Sequence, residues 1–468
     1  MQLTTEWIEY IADLMYWPFA ICILFGTGLF FTIRLGFVQV RRFPEAVRTM
    51  VASQQAGAGG GGALSPFQAF MTGLAATIGT GNIAGVATAI IAAGPGALFW
   101  IWCYGFFATS IKFAEAALGL KFRIAHGEKT LSGPMYYLRD GLGSPALAWI
   151  YALVAGIACL FTTPFTQPNS IAVVLESQMK RHALSMSTWT VGGMEISLDR
   201  LAIGVVLAIL TWLVIIGGVK TIGRVAEKLS PFKVGFYMLG GVTVIAMNIT
   251  RLPDVLSLVF QEAFSLRTAA GTAAGGFMGT VMGQALRYGL ARGAYANEAG
   301  YGTAAVVYGV AKSDRPDQQG LNAVMEVFII TFITSTISAL TILLTGTWEI
   351  DGIQSAAAVS EAFNASIPVV GGWMVAFSVF MFGYTALMGW SFYGEQFLEY
   401  LFGPRIVMPY RWIYCVLIPL GAIAKVDLVW AWGDILNGAQ IFPNLIGLFA
   451  LSGIAAAYAK RRKNLPTS

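Results

Sequence analysis

Gly79-Thr80-Gly81-Asn82 stands inside an apolar stretch long enough to cross a bilayer. Two glycines and an asparagine within four residues are poor helix formers. The hydrocarbon core offers no water to unpaired N–H and C=O groups, so spanning backbone normally stays helical. Unwound backbone at that depth lines a cavity or holds a ligand. N–H groups freed at a half-helix N-terminus attract an anion such as a carboxylate. Freed carbonyls and nearby hydroxyls suit a small hard cation such as sodium. A zwitterion and a cation can therefore share one dry cavity. The plain alternative is that these small residues only let a neighbouring helix come close.

A second glycine cluster, Gly271-Thr-Ala-Ala-Gly-Gly276, continues to Gly279 and Gly283. It opens an apolar window five windows after the first, so the two segments cross in opposite directions. Such a pair in corresponding halves points to a transporter site between inverted repeats. Charges inside the apolar windows are the next candidates. Lys112 and Glu115, at i and i+3, read as a mutually satisfied pair or a gate. Asn297-Glu298 falls after the seventh window, in the cytoplasmic connection, and reads as a gate or helix-end network, not a substrate ligand. The Gly59–Gly62 run lacks the Gly-Lys-Ser/Thr ending of a phosphate loop and reads as a linker.

Composition sets the elements that must position these groups. Of 468 residues, 56% are hydrophobic and only 11% charged, against about 25% charged in a soluble domain. This is the composition of an all-α polytopic membrane protein, with room for about eleven helices of roughly 20 residues. Apolar windows lie near 14–33, 67–92, 96–120, 146–176, 201–219, 233–250, 272–290, 321–345, 371–402, 411–424 and 435–459. Pro164 and Pro168 should kink or break the fourth. Most Lys and Arg residues fall on one side of this threading, including Arg34 to Arg48, Lys121 to Arg139, Lys220 to Lys233 and Lys460 to Lys463. The other side receives Lys180, Arg181, Arg200, Arg251, Arg267 and Lys425. The positive-inside rule then places the N-terminus outside and the C-terminus in the cytoplasm. The four cysteines show no CxxC spacing and the two histidines are isolated, which argues against a metal centre built from them.

The motifs together are identified with a known family. Leu64-Ser-Pro-Phe-Gln-Ala69, Gly79-Thr-Gly-Asn-Ile83 and Gly94-Pro-Gly-Ala-Leu-Phe-Trp100 resemble the alanine or glycine:cation symporters. So do Gly133-Pro-Met-Tyr-Tyr137, Arg292-Gly293 with Asn297-Glu-Ala-Gly-Tyr-Gly-Thr-Ala304, Gln319-Gly320, Gly389-Trp390, Tyr393-Gly-Glu395 and Tyr400-Leu-Phe-Gly403. The resemblance implies a LeuT-type fold, a 5+5 inverted repeat with one extra N-terminal helix. Residues 1–66 would form that helix and a linker, 67–250 and 251–459 the two repeats, and 460–468 a basic tail. It implies sodium-coupled, sometimes proton-coupled, import of alanine, glycine or a related small neutral amino acid across a cell (inner) membrane. Neither enzymatic activity, a cofactor nor nucleic acid belongs to that picture, and a single chain in the lipid bilayer would suffice.

The resemblance also carries roles. The N–H groups of Thr80 and Gly81 would take the substrate carboxylate, with Asn82 orienting them. Gln167 and Asn169 would face the pocket, Gly275, Gly276 and Phe277 would line it, and Trp390 would cap it. Sodium would sit on the carbonyls of Ala75 and Ile78 and the Thr385 hydroxyl. The chain departs from the family pattern where paired threonines are replaced by Thr385-Ala386. It departs again at Val327-Phe-Ile-Ile-Thr331, which lacks a carboxylate, and at Thr162-Thr-Pro-Phe-Thr166, an altered segment that leaves room for another small zwitterion such as glutamine, serine, or a methylated or sulfonated amino acid analogue. An ion channel is the alternative of another class, but a channel more often repeats one filter around an oligomer. An intramembrane enzyme is not supported, since neither His-Glu-x-x-His nor Gly-x-Ser-x-Gly occurs.

Overall fold

The computed structural model describes Trp7 and residues 19–54, 61–126, 129–184, 188–191, 194–269, 276–353 and 355–460. Gly59, Gly60, residues 270–275 with most of the second glycine cluster, and the tail beyond Lys460 lie outside the described residues. The principal helices are α1 (Ile21–Arg34), α2 (Pro66–Thr77), α3 (Ala84–Ala93), α4 (Ala97–Lys121), α5 (Pro145–Phe161), α6 (Thr163–Arg181), α7 (Leu198–Ile215) and α8 (Gly218–Met247). They continue as α9 (Val281–Asn297), α10 (Thr303–Gly309), α11 (Pro316–Val327), α12 (Thr336–Thr345), α13 (Ser355–Ser366), α14 (Val370–Phe402), α15 (Val407–Ile423), α16 (Val426–Ala450) and α17 (Ser452–Lys460). Two short antiparallel hairpins, Ile124–His126 with Lys129–Leu131 and Thr188–Val191 with Met194–Ser197, lie in connections.

Among the described residues, seven helical stretches are long and apolar enough to cross a membrane, or up to nine when each of two bent pairs is taken as one span. They form an inner and an outer set. The α4 window is 67% buried and the α14 window 72%, whereas α7 and α8 bury only 28% and 33% of theirs. Leu213, Leu239 and Val242 on the outer helices are exposed, as lipid-facing side chains should be. α4 packs against α9, α10 and α11, and α14 packs against α2, α5, α6, α8 and α13. These two inner helices hold the segments that matter for the site.

The local sequence explains the first of those segments. Ser65 and Gln68 form a reciprocal capping box on α2, and Pro66 occupies the first turn, where its missing N–H is harmless. The helix then stops at Ile78, and the chain resumes at Thr80 with a bend of 66°. The expected break therefore forms, at the expected place.

Three windows differ from the sequence expectation. The helix expected from residue 233 starts at Gly218, so Lys233 lies mid-helix and buried instead of on the cytoplasmic rim. The chain between α5 and α6 turns at Thr162, before either proline. Pro164 sits in the first turn of α6, and the helix runs on through Pro168. The third difference is the second break. Gly276 and Phe277 are exposed, ahead of α9. The helix that follows is interrupted later, between Asn297 and Thr303. Its Arg287 and Arg292 and the polar residues after it gave that stretch the look of a cytoplasmic loop.

Candidate functional site

The break after α2 leaves helix-end carbonyls without their usual N–H partners. Gly79 N–H turns back to the Thr77 carbonyl at 3.0 Å, so it does not reach Ala75. Thr80 N–H leaves the helix altogether and donates to Gln167 Oε1 at 2.9 Å. Asn82 Nδ2 reaches back 3.0 Å to the Thr77 carbonyl. Asn82 is itself held: Ser338 Oγ donates to its carbonyl at 2.8 Å and Ser335 Oγ to its Oδ1 at 3.4 Å. Ser335 ends a wide helical turn, Phe328–Ser335, in which the Thr334 and Ser335 hydroxyls bond carbonyls five residues back. Wide turns of this kind recur at functional sites. Gly79 is needed for close approach. A Cβ there would stand 2.9 Å from Gln167 Oε1 and 3.3 Å from Ala386 Cβ.

The second break is built on the opposite principle. Its backbone requires left-handed conformations, with φ of 55° at Glu298, 92° at Gly300 and 87° at Gly302. Its freed N–H groups point at a carboxylate of the chain itself. Glu115 Oε1 accepts from Gly300 N–H at 2.9 Å, Gly302 N–H at 3.0 Å and Asn444 Nδ2 at 2.9 Å. Tyr151 hydroxyl donates to the Tyr301 carbonyl at 2.7 Å and Asn444 Nδ2 to that of Gly300 at 2.8 Å. Lys112 and Glu115 are therefore not a self-satisfied pair. Lys112 Nζ bonds Glu326 Oε1 on α11 at 3.0 Å, with both side chains 1% exposed. Glu326 also receives Thr77 Oγ1 at 2.8 Å and Tyr308 hydroxyl at 2.6 Å. This buried network ties the end of α2 to α4, α10 and α11.

The two breaks face one cavity. Gly79, Gly81 and Asn82 line it from the first, and Glu298 and Tyr301 from the second. Gln167, Tyr295, Trp390 and Asn437 close it. Its free volume of about 20 Å³ has room for roughly one ordered water. Glu298 is buried; Trp390 Nε1 donates to its Oε1 at 2.8 Å and Thr303 Oγ1 to its Oε2 at 2.9 Å. One wall is thus the unwound Gly79–Asn82 backbone and the other carries a carboxylate, an arrangement that suits a molecule with one negative and one positive end.

Several residues stand elsewhere than the sequence suggested. Asn169 does not line the cavity; its Nδ2 donates to the carbonyls of Gly421 at 3.1 Å and Ala424 at 2.8 Å. Two residues along a helix is about 200° of turn, so Gln167 and Asn169 cannot share a face. Phe277 is 46% exposed and Gly276 is exposed, away from the cavity, and Gly275 lies outside the described residues. Glu298 belongs to the cavity wall, not to a cytoplasmic connection, and Asn297 is buried beside it. The Ala75 and Ile78 carbonyls and the Thr385 hydroxyl do converge, but on the Lys233 ammonium. Glu326, Tyr295 and Lys233 were missed as site residues. The available signal for Lys233 and Glu326 was a charge bordering or entering an apolar window.

The bond from Asn82 to Thr77 makes a testable statement. Asn82→Ala leaves the buried Thr77 carbonyl with the Gly79 N–H as its remaining donor, a loss of one hydrogen bond worth about 0.5–1.5 kcal/mol. The substrate-free Tm should fall; an unchanged Tm would remove Asn82 as the brace of the break.

A model of the sodium:alanine symporter family matches residues 1–465. The sodium/alanine symporter AgcS of Methanococcus maripaludis is 36% identical over 461 residues, covering 97% of this chain and 96% of that protein. The probable sodium/glutamine symporter GlnT of Bacillus subtilis is 31% identical over 456 residues, covering 97% and 90%. Among solved structures, that of MhsT in complex with L-phenylalanine has the same fold, with a TM-score of 0.57 and 13% identity over 87% of this chain and 94% of that one.

Proposed function

The chain belongs to the sodium:alanine symporter family, sodium-coupled amino-acid symporters and not enzymes, and we propose on that footing that it imports a small neutral amino acid such as alanine or glycine. The observation that carries this reading is one small buried cavity lined both by the unwound Gly79–Asn82 segment, with the Gln167 amide that takes the Thr80 N–H, and by the Glu298 carboxylate. The substrate carboxylate takes the N–H groups of Thr80 and Gly81, replacing the amide oxygen of Gln167. The substrate ammonium sits against Glu298 and is covered by Trp390. The tightness of the cavity and the ring of Tyr295, which a Cβ on Gly81 would meet at 2.8 Å, favour a short side chain.

The two broken helices are the first members of two inverted five-helix repeats, which rock around the fixed site by alternating access. The chain works in a cell membrane with its N-terminus outside and its C-terminus in the cytoplasm. Each ligand raises the affinity for the other by the same factor.

Uptake of radiolabelled alanine and glycine into proteoliposomes is expected to require an inward sodium gradient. Equal uptake with sodium replaced by choline would overturn sodium coupling. No uptake of either substrate in any gradient would overturn the substrate assignment.

A further inference from the structure

Lys233 is buried at mid-helix in α8, and its ammonium lies among three oxygens. Its Nζ donates to the Ile78 carbonyl at 2.8 Å, to the Ala75 carbonyl at 3.2 Å and to Thr385 Oγ1. Thr385 Oγ1 donates its own hydrogen bond to the Phe382 carbonyl at 3.0 Å, which leaves its lone pairs for the ammonium. The Phe382 ring stands 5.3 Å from Nζ and adds a cation–π contact. Two of the three carbonyl and hydroxyl oxygens are helix-end carbonyls freed by the first break. They form an all-acceptor set of the kind a hard cation uses.

Among the described residues, no ion pair involves Lys233. α2 and α12, which pack on α8, bring no ionisable side chain. α14 brings Tyr384, whose hydroxyl donates to the Leu210 carbonyl, Tyr393, packed on Trp390, and Tyr400, packed on Tyr136. It also brings Glu395 and Glu399, paired with Arg411 and Lys129. Glu361 on α13 pairs with Arg181, and of Asp199 and Arg200 on α7, the arginine pairs with Glu176. On α8 itself, Tyr237 meets Ser338, Glu227 accepts from Gln68, and Lys220, Arg224 and Lys228 lie nearer its start. A buried charge without a counter-charge is expensive unless its surroundings are built for it. Here three oxygens and a ring are built around a cation that the chain supplies.

We propose that Lys233 occupies the cation site between the first break and α14, so that this site contributes a proton, not a sodium ion, to the transport cycle. The inference deepens the symporter reading and rests on it. Protonated Lys233 holds the Ala75–Ile78 end of α2 against Thr385. When the site opens, the ammonium gives its proton to water in the vestibule, the three oxygens lose their cation, and the break is released from α14. Reprotonation from the other side restores the contact. Sodium coupling in this chain then uses oxygens other than these three.

Sodium titrations of thermal stability without substrate test the assignment independently of what is transported. Near neutral pH, Thr385→Ala should leave the wild-type sodium midpoint unmoved. Lys233→Met should create a sodium-dependent rise in Tm that the double variant Lys233→Met/Thr385→Ala loses. In the wild-type chain the same Thr385-dependent response should appear only as pH is raised, with a midpoint falling up to tenfold per pH unit as sodium and proton compete. Lys233→Gln serves if the methionine variant does not fold, and the wild-type and Thr385→Ala arms need neither. A wild-type sodium midpoint shifted by Thr385→Ala at neutral pH overturns the proposal. So does a wild-type chain with no Thr385-dependent sodium response at any pH. Failure of alanine and glycine uptake would sink the substrate assignment and leave these titrations to decide Lys233.

Discussion

Glu298→Gln is expected to weaken binding of alanine or glycine by at least ~30-fold, or about 2 kcal/mol, the low end of what loss of one partner of a buried charge pair costs. The substitution keeps the shape of the side chain and an oxygen to accept from Trp390 Nε1. Among the described residues, it removes the only carboxylate that lines the cavity. A substrate ammonium would then be desolvated without a counter-charge, which is the expensive half of such a pair. The measurement is the substrate-induced shift in Tm, titrated to a Kd, beside uptake into proteoliposomes. Sodium-induced stabilisation in the absence of substrate should change little by comparison. An unaltered substrate Kd would show that the amine is held elsewhere and that Glu298 only positions Trp390 and Thr303.

Lys112→Met should lower stability by about 3–5 kcal/mol, because it strands a buried carboxylate. Glu326 would keep Thr77 and Tyr308 as donors but lose its only ion-pair partner among the described residues. The double variant Lys112→Met/Glu326→Gln should recover most of that loss, since removing both charges leaves neither uncompensated. Tm of the purified chain in one detergent, wild type against both single variants and the double, reads this directly. Single and double variants melting alike would mean that the pair contributes no coupling. Because Glu326 also holds Thr77 at the end of α2, Lys112→Met alone should weaken substrate binding as well. In the double variant the amide oxygen introduced by Glu326→Gln still offers Thr77 an acceptor.

How much of this could be read from residues alone depends on how local the cause is. The membrane class follows from composition, and the first break from four consecutive residues that cannot continue a helix in lipid. The convergence of Ala75, Ile78 and Thr385 was also legible through the family resemblance, although not what they converge on. Glycine content points to 271–276 for the second break, most of which lies outside the described residues, whereas the interruption between Asn297 and Thr303 follows an Arg-bearing helix and reads as a loop. Asn169 stands off the cavity because two residues along a helix point to different faces, so the Gln167–Asn169 motif does not form one surface.

The sequence by itself determined that this chain spans a membrane, that it unwinds at Gly79–Asn82, and that it resembles cation-coupled amino-acid carriers. Those are statements about short-range composition and backbone preference. Only the tertiary structure decided which charge meets which partner. Lys233 reaches Thr385 across 152 positions, Lys112 reaches Glu326 across 214, and Glu115 reaches Gly300 across 185. No periodicity or local propensity records such distances. In a low-dielectric interior each buried charge must find a partner or a built cradle, and helix packing alone sets which one is within 3 Å.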